Sequence, residues 1–203
     1  MPLSAPTERR FSYGDYRRWP DDERWELIDG RPFNMSPAPT RGHQQLVLEI
    51  GRQLANQLDN AECEVYVGPF DVRLPEANDT DDEIENVVQP DVVVVCDPGK
   101  LDDAGCRGAP DWIVEVLSPR TAAKDQTAKL RLYEHHGVRE YWLVHPTDRV
   151  LTIYRLDGGA FGRPLVQPLS GETDCAALPG LRIRWPAAEA EQAPLPSPGD
   201  RRE

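Results

Sequence analysis

Two short apolar runs, within PDVVVVCD (90–97) and PDWIVEVLSP (110–119), constrain the fold of this chain more than any other feature. Continuous Val/Ile runs of this length suit strands buried on both faces, at the centre of a sheet. Neither is long enough to cross a membrane, and nowhere are there eighteen consecutive apolar residues.

The flanking segments supply the rest of a sheet and its cover. WELIDGRPFNM reads as a hairpin turning at Asp29-Gly30. After SPAPTRGH, residues Leu46, Ile50, Leu54 and Leu58 recur every four positions, which predicts an amphipathic helix of about four turns. CEVYVGPFDVRL is strand-like, with a Gly-Pro interruption that marks a bulge or a break between two strands. A second helix begins at Ser118 or Thr121, runs through KDQTAKLRLYEHH and ends at Gly137. REYWLVHP and RVLTIYRL predict a further central strand and its neighbour, with peripheral strands after them. Ser12 is placed to cap a short helix ahead of Pro20. The order predicts a single mixed sheet flanked by helices, an α/β (α+β) domain over residues 12–186. Tails are expected at 1–11 and, disordered, at 187–203, the latter rich in Pro, Ala and charge.

Two carboxylates stand where buried strands should not carry them. Glu115 is flanked by Val114 and Val116, and Asp91 opens the all-valine run. An ionised carboxylate in apolar surroundings is costly unless paired or bound to a metal. Two on adjacent strands would also repel, and a cation between them removes that cost. Mg²⁺ prefers oxygen ligands and activates water or a phosphoryl oxygen. The alternative is that each acid pairs with an arginine or ends its strand in water. Asp125, Lys129 and Tyr133 share one face of the second helix. Lys129 either approaches the carboxylates, where an ammonium stabilises developing phosphate charge, or forms a surface pair with Asp125.

The net charge of −12, from 23 basic and 35 acidic residues, argues against a general affinity for nucleic acid. The charge is uneven. EANDTDDEIE (76–85) holds six acids and no base, whereas residues 107–139 hold six Lys or Arg against four acids. A nucleic-acid surface, if present, is expected near the second stretch. Cys63, Cys96, Cys106 and Cys175 form no CxxC pair and are expected to be reduced, mostly buried thiols. Residues 1–10 lack the apolar stretch of a secretory signal, so a cytoplasmic setting is expected.

The pieces WELIDGRPFNMSP, GHQQLV, QPDVVVV, DWIVEVLSPRT, KDQTAKLRLYEHHGVREYWLVHP and VLTIYRL, spread over roughly 12–185, resemble the bacterial Uma-type family. That family is classed with the restriction endonucleases of the PD-(D/E)XK superfamily. The resemblance implies an α-β-β-β-α-β core, here with an N-terminal hairpin and extra C-terminal strands. It also implies a Mg²⁺- or Mn²⁺-dependent endonuclease acting on DNA, although the chain itself is acidic, with homodimers as in related nucleases. Asp91 matches the superfamily's first acid and Glu115 its second. Val116 would offer its backbone carbonyl to the metal. Leu117 stands where the E-x-K lysine would be, and Lys129 fits a lysine that has migrated to the following helix. Glu26 and His43 match recurrent family positions. Glu26 is either a further metal or water ligand or an exposed hairpin residue. His43 either binds phosphate or shuttles a proton, or is merely polar at a helix start. His135 and His136 suit a helix C-terminus. A triad around Ser118 lacks the G-x-S-x-G elbow. The rival readings are a non-catalytic binding or regulatory domain and a metal-dependent hydrolase of a small phosphorylated molecule.

Overall fold

The computed structural model describes residues 9–20, 22–35, 38–59 and 61–185. Of the expected tails, only residues 9–11 fall within that set. Ser12 precedes the short helix α1 (Tyr13–Tyr16), and Asp29-Gly30 turns the chain between β1 (Trp25–Ile28) and β2 (Arg31–Asn34). Both turn residues take positive φ, 52° and 69°, which a two-residue type I′ hairpin demands and Asp and Gly tolerate.

Helix α2 (Arg41–Gln57) starts behind Thr40, whose hydroxyl accepts the His43 N–H at 3.3 Å. Its Val47, Ile50 and Leu54 are buried. Gly51 lies against β3 (Glu64–Val67), where a Cβ would meet the Val67 side chain at 2.7 Å, so glycine permits the close approach. The chain then breaks at Gly68-Pro69. It continues through β4 (Val72–Arg73), β5 (Val87–Val88), β6 (Val92–Val95), β7 (Leu101–Asp102), β8 (Gly105–Arg107) and β9 (Trp112–Val116). The second helix is α3 (Ala122–Lys124), a π-helical turn over Asp125–Lys129, and α4 (Leu130–His136). Gly137 ends it at φ 87°. Six further strands follow: β10 (Glu140–His145), β11 (Val150–Asp157), β12 (Ala160–Phe161), β13 (Leu165–Pro168), β14 (Glu172–Asp174) and β15 (Arg182–Arg184).

The expected single sheet is in fact divided. The larger sheet has the order β12-β11-β10-β9-β6-β3, with β13 also on β11, and the second runs β2-β1-β5-β4-β8-β7. β14 and β15 form a separate pair. The break at Gly68-Pro69 is what sends β4 away from β3 and into the second sheet. Within the larger sheet β9 lies between β6, antiparallel, and β10, parallel. Both apolar runs are therefore central strands, and every residue of β6 and β9 is buried.

Strand alternation gives the larger sheet two different faces. Even-numbered Val92, Val94, Trp112, Val114, Val116, Trp142 and Val144 pack with α2. Odd-numbered Val93, Val95, Ile113, Tyr141 and Leu143 pack with Leu132 and Tyr133 of α4 and with Ile28, Val72 and Val88 of the second sheet. Glu115 belongs to the odd series, so β9 delivers it between the helix and the second sheet. Each fully buried valine contributes about 1.5–3 kcal/mol to holding these layers together.

The cysteine expectation needs correction for one pair. Cys63 and Cys96 are joined in a disulfide. The register that pairs Glu64 with Val95 brings them opposite each other, which their separation of 33 residues hides. Cys106 and Cys175 are free and buried, as expected. Among the described residues no helix is long and apolar enough to cross a membrane.

Candidate metal centre

The β6–β9 register pairs Val92 with Val114. Asp91 lies just before β6, close enough to Glu115 for its charge to act on that carboxyl. Asp91 Oδ2 accepts the Val116 N–H at 2.8 Å and lies 3.1 Å from His43 Nε2. His43 Nδ1 is buried with no hydrogen-bond partner. Burial opposes charge on this imidazole, but Asp91, the Val116 backbone and Asp125 together outweigh it and raise its pKa.

Glu115 Oε1 accepts from Lys129 Nζ at 2.7 Å and from the Tyr133 hydroxyl at 3.1 Å. Lys129 Nζ also lies 2.7 Å from Glu26 Oε1 and 3.6 Å from Asp125 Oδ1. Lys124 reaches Glu26 Oε2, and the Gln89 N–H donates to Oε1 at 2.8 Å. Neither the exposed hairpin position considered for Glu26 nor a surface Asp125–Lys129 pair survives. Glu26, Asp125 and Lys129 are all buried. The second sheet is the cause, because β1 carries Glu26 over the face onto which the helix projects Lys129.

Here three carboxylates, Glu115, Glu26 and Asp125, are arranged around the two ammonium groups of Lys124 and Lys129, with a fourth, Asp91, close enough to act on Glu115. The shortage of positive charge shows in the individual groups. Burial pushes the Glu115 carboxyl well above the ordinary range. Lys129 opposes that rise, while Asp125, Asp91 and Glu26 reinforce it. Burial likewise raises Asp125. Burial would raise Glu26 too, but the two lysines win and hold it low. Burial would deprotonate Lys129, yet Glu115, Glu26 and Asp125 lift its pKa well above normal. The oxygen-rich set of Asp91, Glu115 and the Val116 carbonyl, with excess negative charge, fits a hard divalent cation.

The five side chains singled out from the sequence fall into two adjoining groups, Asp91 with His43, and Glu115 with Lys129 and Glu26. The backbone of Val116 joins the first group through Asp91. Lys124 had no sequence signal. It precedes Lys129 by five positions, which on a regular α-helix lie about 140° apart. The π-helical turn between them lets both reach Glu26.

Of the six basic residues in 107–139, where a nucleic-acid surface is expected, Arg120 and Arg131 are exposed. Arg107 pairs with Asp81, Arg139 with Asp111, and Lys124 and Lys129 turn inward. Arginines gather elsewhere, along a groove of about 1340 Å³ lined by Arg41, Arg52, Arg149, Arg182 and Arg184 against Glu49 and Glu172. One end of it is the first turn of α2, beside His43. β15 is fixed there by α2, because the Gln53 and Gln57 amides pair with the backbone N–H and C=O of Arg184 and Arg182 at 2.7–2.9 Å.

Residues 13–187 match the sequence profile of Uma2, described as "Putative restriction endonuclease". The uncharacterized protein slr1290 of Synechocystis sp. is 31% identical over 154 residues, covering 74% of this chain and 76% of that protein. A crystal structure of "a putative nuclease belonging to DUF820" from Anabaena variabilis ATCC 29413 aligns with a TM-score of 0.67 at 16% identity. It covers 86% of this chain and 94% of its own. At that identity the likeness is one of fold.

Proposed function

The chain belongs to the Uma2 family of restriction-endonuclease-like proteins, and on that premise we propose that it is a metal-dependent endonuclease hydrolysing DNA phosphodiester bonds. The observation that carries the reading is the buried excess of carboxylate over ammonium charge around Glu115. Asp91, Glu115 and the Val116 carbonyl would hold the metal. A Mg²⁺ or Mn²⁺ ion supplies Lewis acidity toward the phosphoryl group and activates water at neutral pH.

The protein's own groups do the rest. Lys129 places a permanent cation beside Glu115, where it neutralises charge developing on the scissile phosphate. Glu26 and Asp125 hold that ammonium in place, and Tyr133 fixes the orientation of Glu115 through Oε1. His43 orients Asp91 from the first turn of α2. The arginine groove, starting at the same turn, gives the phosphodiester backbone a cationic path on an otherwise acidic protein. The products are a 5′-phosphate and a 3′-hydroxyl, and the acting form is a homodimer. A cytoplasmic setting belongs to the same reading, and the Cys63–Cys96 disulfide is the feature in tension with it.

Supercoiled plasmid incubated with Mn²⁺ tests the proposal. Wild-type protein is expected to nick it, whereas Asp91→Ala and Glu115→Ala are not. Equal nicking by all three would mark a contaminant. The net charge of −12 favours a second reading, a non-catalytic domain that keeps the fold for binding or regulation. Calorimetric titration separates the two, because that reading predicts no Mn²⁺ binding dependent on Asp91 and Glu115 at millimolar concentration.

A further inference from the structure

The helix that delivers Lys129 to the carboxylates ends in two histidines that the proposed nuclease chemistry does not use. His135 Nε2 lies 3.0 and 3.3 Å from the two carboxylate oxygens of Glu76, and His136 Nε2 lies 3.7 Å from Glu76 Oε1. The two ring nitrogens and a Glu76 oxygen all fall within 4.8 Å of one another. Two ligand atoms bound tetrahedrally to one zinc, each 2.0–2.1 Å from it, are about 3.3 Å apart. The observed spacings bracket that value, so small side-chain rotations would close the set on one ion.

A favourable helix terminus and a surface ion pair account for His135, whose side chain is exposed. They do not account for His136. Its side chain is only 8% exposed, and its Nε2 is buried without a hydrogen-bond partner while aimed at Glu76. A buried imidazole nitrogen left unsatisfied is a cost that needs a compensating ligand. Asp29, at the hairpin turn, and Asp79, in the acidic loop, lie close enough to add negative potential there. The neighbouring His135 ring, 4.9 Å away centre to centre, stands nearly perpendicular to His136.

We propose that Glu76, His135 and His136 form a second metal site, selective for a borderline transition-metal cation such as Zn²⁺. Two imidazole nitrogens and one carboxylate oxygen suit Zn²⁺ far better than Mg²⁺, whereas the all-oxygen set at Asp91 and Glu115 has the opposite preference. Three protein ligands leave room for water to complete a tetrahedron. The ion ties the acidic loop over 76–85 to the C-terminal end of α4, clamping the end of the helix that carries Lys129.

The test is calorimetric titration of the metal-free full chain with Zn²⁺, and with Co²⁺ followed by visible absorption. Wild-type protein and the Asp91→Ala/Glu115→Ala double variant should each bind at this site with equal affinity. Affinity should fall at least tenfold in Glu76→Ala, and the Co²⁺ bands should vanish in His135→Ala/His136→Ala. Glu76 is exposed and lies in a loop, so its variant keeps the experiment decisive if the double histidine variant fails to fold. The proposal is overturned if wild type binds no Zn²⁺ at millimolar concentration. Equal binding by Glu76→Ala, or binding abolished by the Asp91/Glu115 changes, overturns it as well.

Discussion

Two buried glutamates on neighbouring parallel strands, Glu115 of β9 and Glu140 of β10, meet opposite fates. Glu140 is fully buried, yet both its oxygens are served. The Trp142 indole donates to Oε1 at 2.6 Å and the Ala177 N–H to Oε2 at 2.8 Å, with Arg155 3.7 Å away. Glu115 shares one ammonium with Glu26 and Asp125 and stands beside Asp91. Burial of a carboxylate therefore does not by itself mark a functional group. The mark is burial together with a shortage of positive charge, which only an added cation or a proton can relieve.

The largest effect that separates the two is on activity. Glu115→Gln keeps the volume and an oxygen for Lys129 and Tyr133, but removes a charge the cluster already holds in excess. Metal-dependent nicking should fall at least 100-fold, about 2.7 kcal/mol of transition-state stabilisation. Unfolding free energy should change by less than about 1 kcal/mol. A stable, inactive protein is the expected result in plasmid nicking and urea melts. Unchanged nicking would place Glu115 with Glu140 among the purely structural acids.

Next comes the ammonium. Lys129→Met leaves Glu26, Glu115 and Asp125 to share Lys124 alone, and removing one partner from a buried ion pair costs about 3–5 kcal/mol. Urea denaturation of the metal-free protein reads that loss. A cost below about 1 kcal/mol would mean that Lys129 contributes nothing to holding the cluster.

The contrast between the glutamates was only half visible in the sequence. Glu115 stood out because valines flank it, and Asp91 because it opens an all-valine run. Glu140, between Arg139 and Tyr141, gave no such signal, because its satisfaction depends on Ala177, which lies 37 residues away. The central strands, both principal helices and the hairpin were legible, since each is specified by local periodicity or turn chemistry. The rest of the second sheet was not. Its strands β4, β5 and β7 are only two residues long, too short to carry a period. What buried Glu26 and Asp125 was thus hidden along with it. Lys124 was hidden for another reason, because its approach to Glu26 requires a π-helical turn that no periodic pattern announces.

Glu140 itself should respond in the opposite sense to Glu115. In Glu140→Gln one carboxylate oxygen becomes an NH₂ group facing either the Trp142 indole or the Ala177 N–H, both donors. One donor then loses its partner, at a cost of about 3 kcal/mol. Mn²⁺ affinity should be unchanged. Thermal melts with and without Mn²⁺ measure both quantities, and a loss of Mn²⁺ binding here would erase the distinction between the two acids.

The finest form of the comparison lies in the two tryptophans that pack edge to face at 4.6 Å beneath these strands. Trp142 Nε1 donates to Glu140, whereas Trp112 Nε1 is buried without a hydrogen-bond partner. Trp142→Phe therefore removes packing area and strips a carboxylate oxygen of its donor. Trp112→Phe removes similar area but also deletes an unsatisfied N–H, and that relief offsets part of the loss. Trp142→Phe should be the more destabilising of the two by about 2 kcal/mol in urea melts. Equal costs would mean that the Trp142–Glu140 hydrogen bond does not contribute to satisfying Glu140, and its quiet burial would need another source.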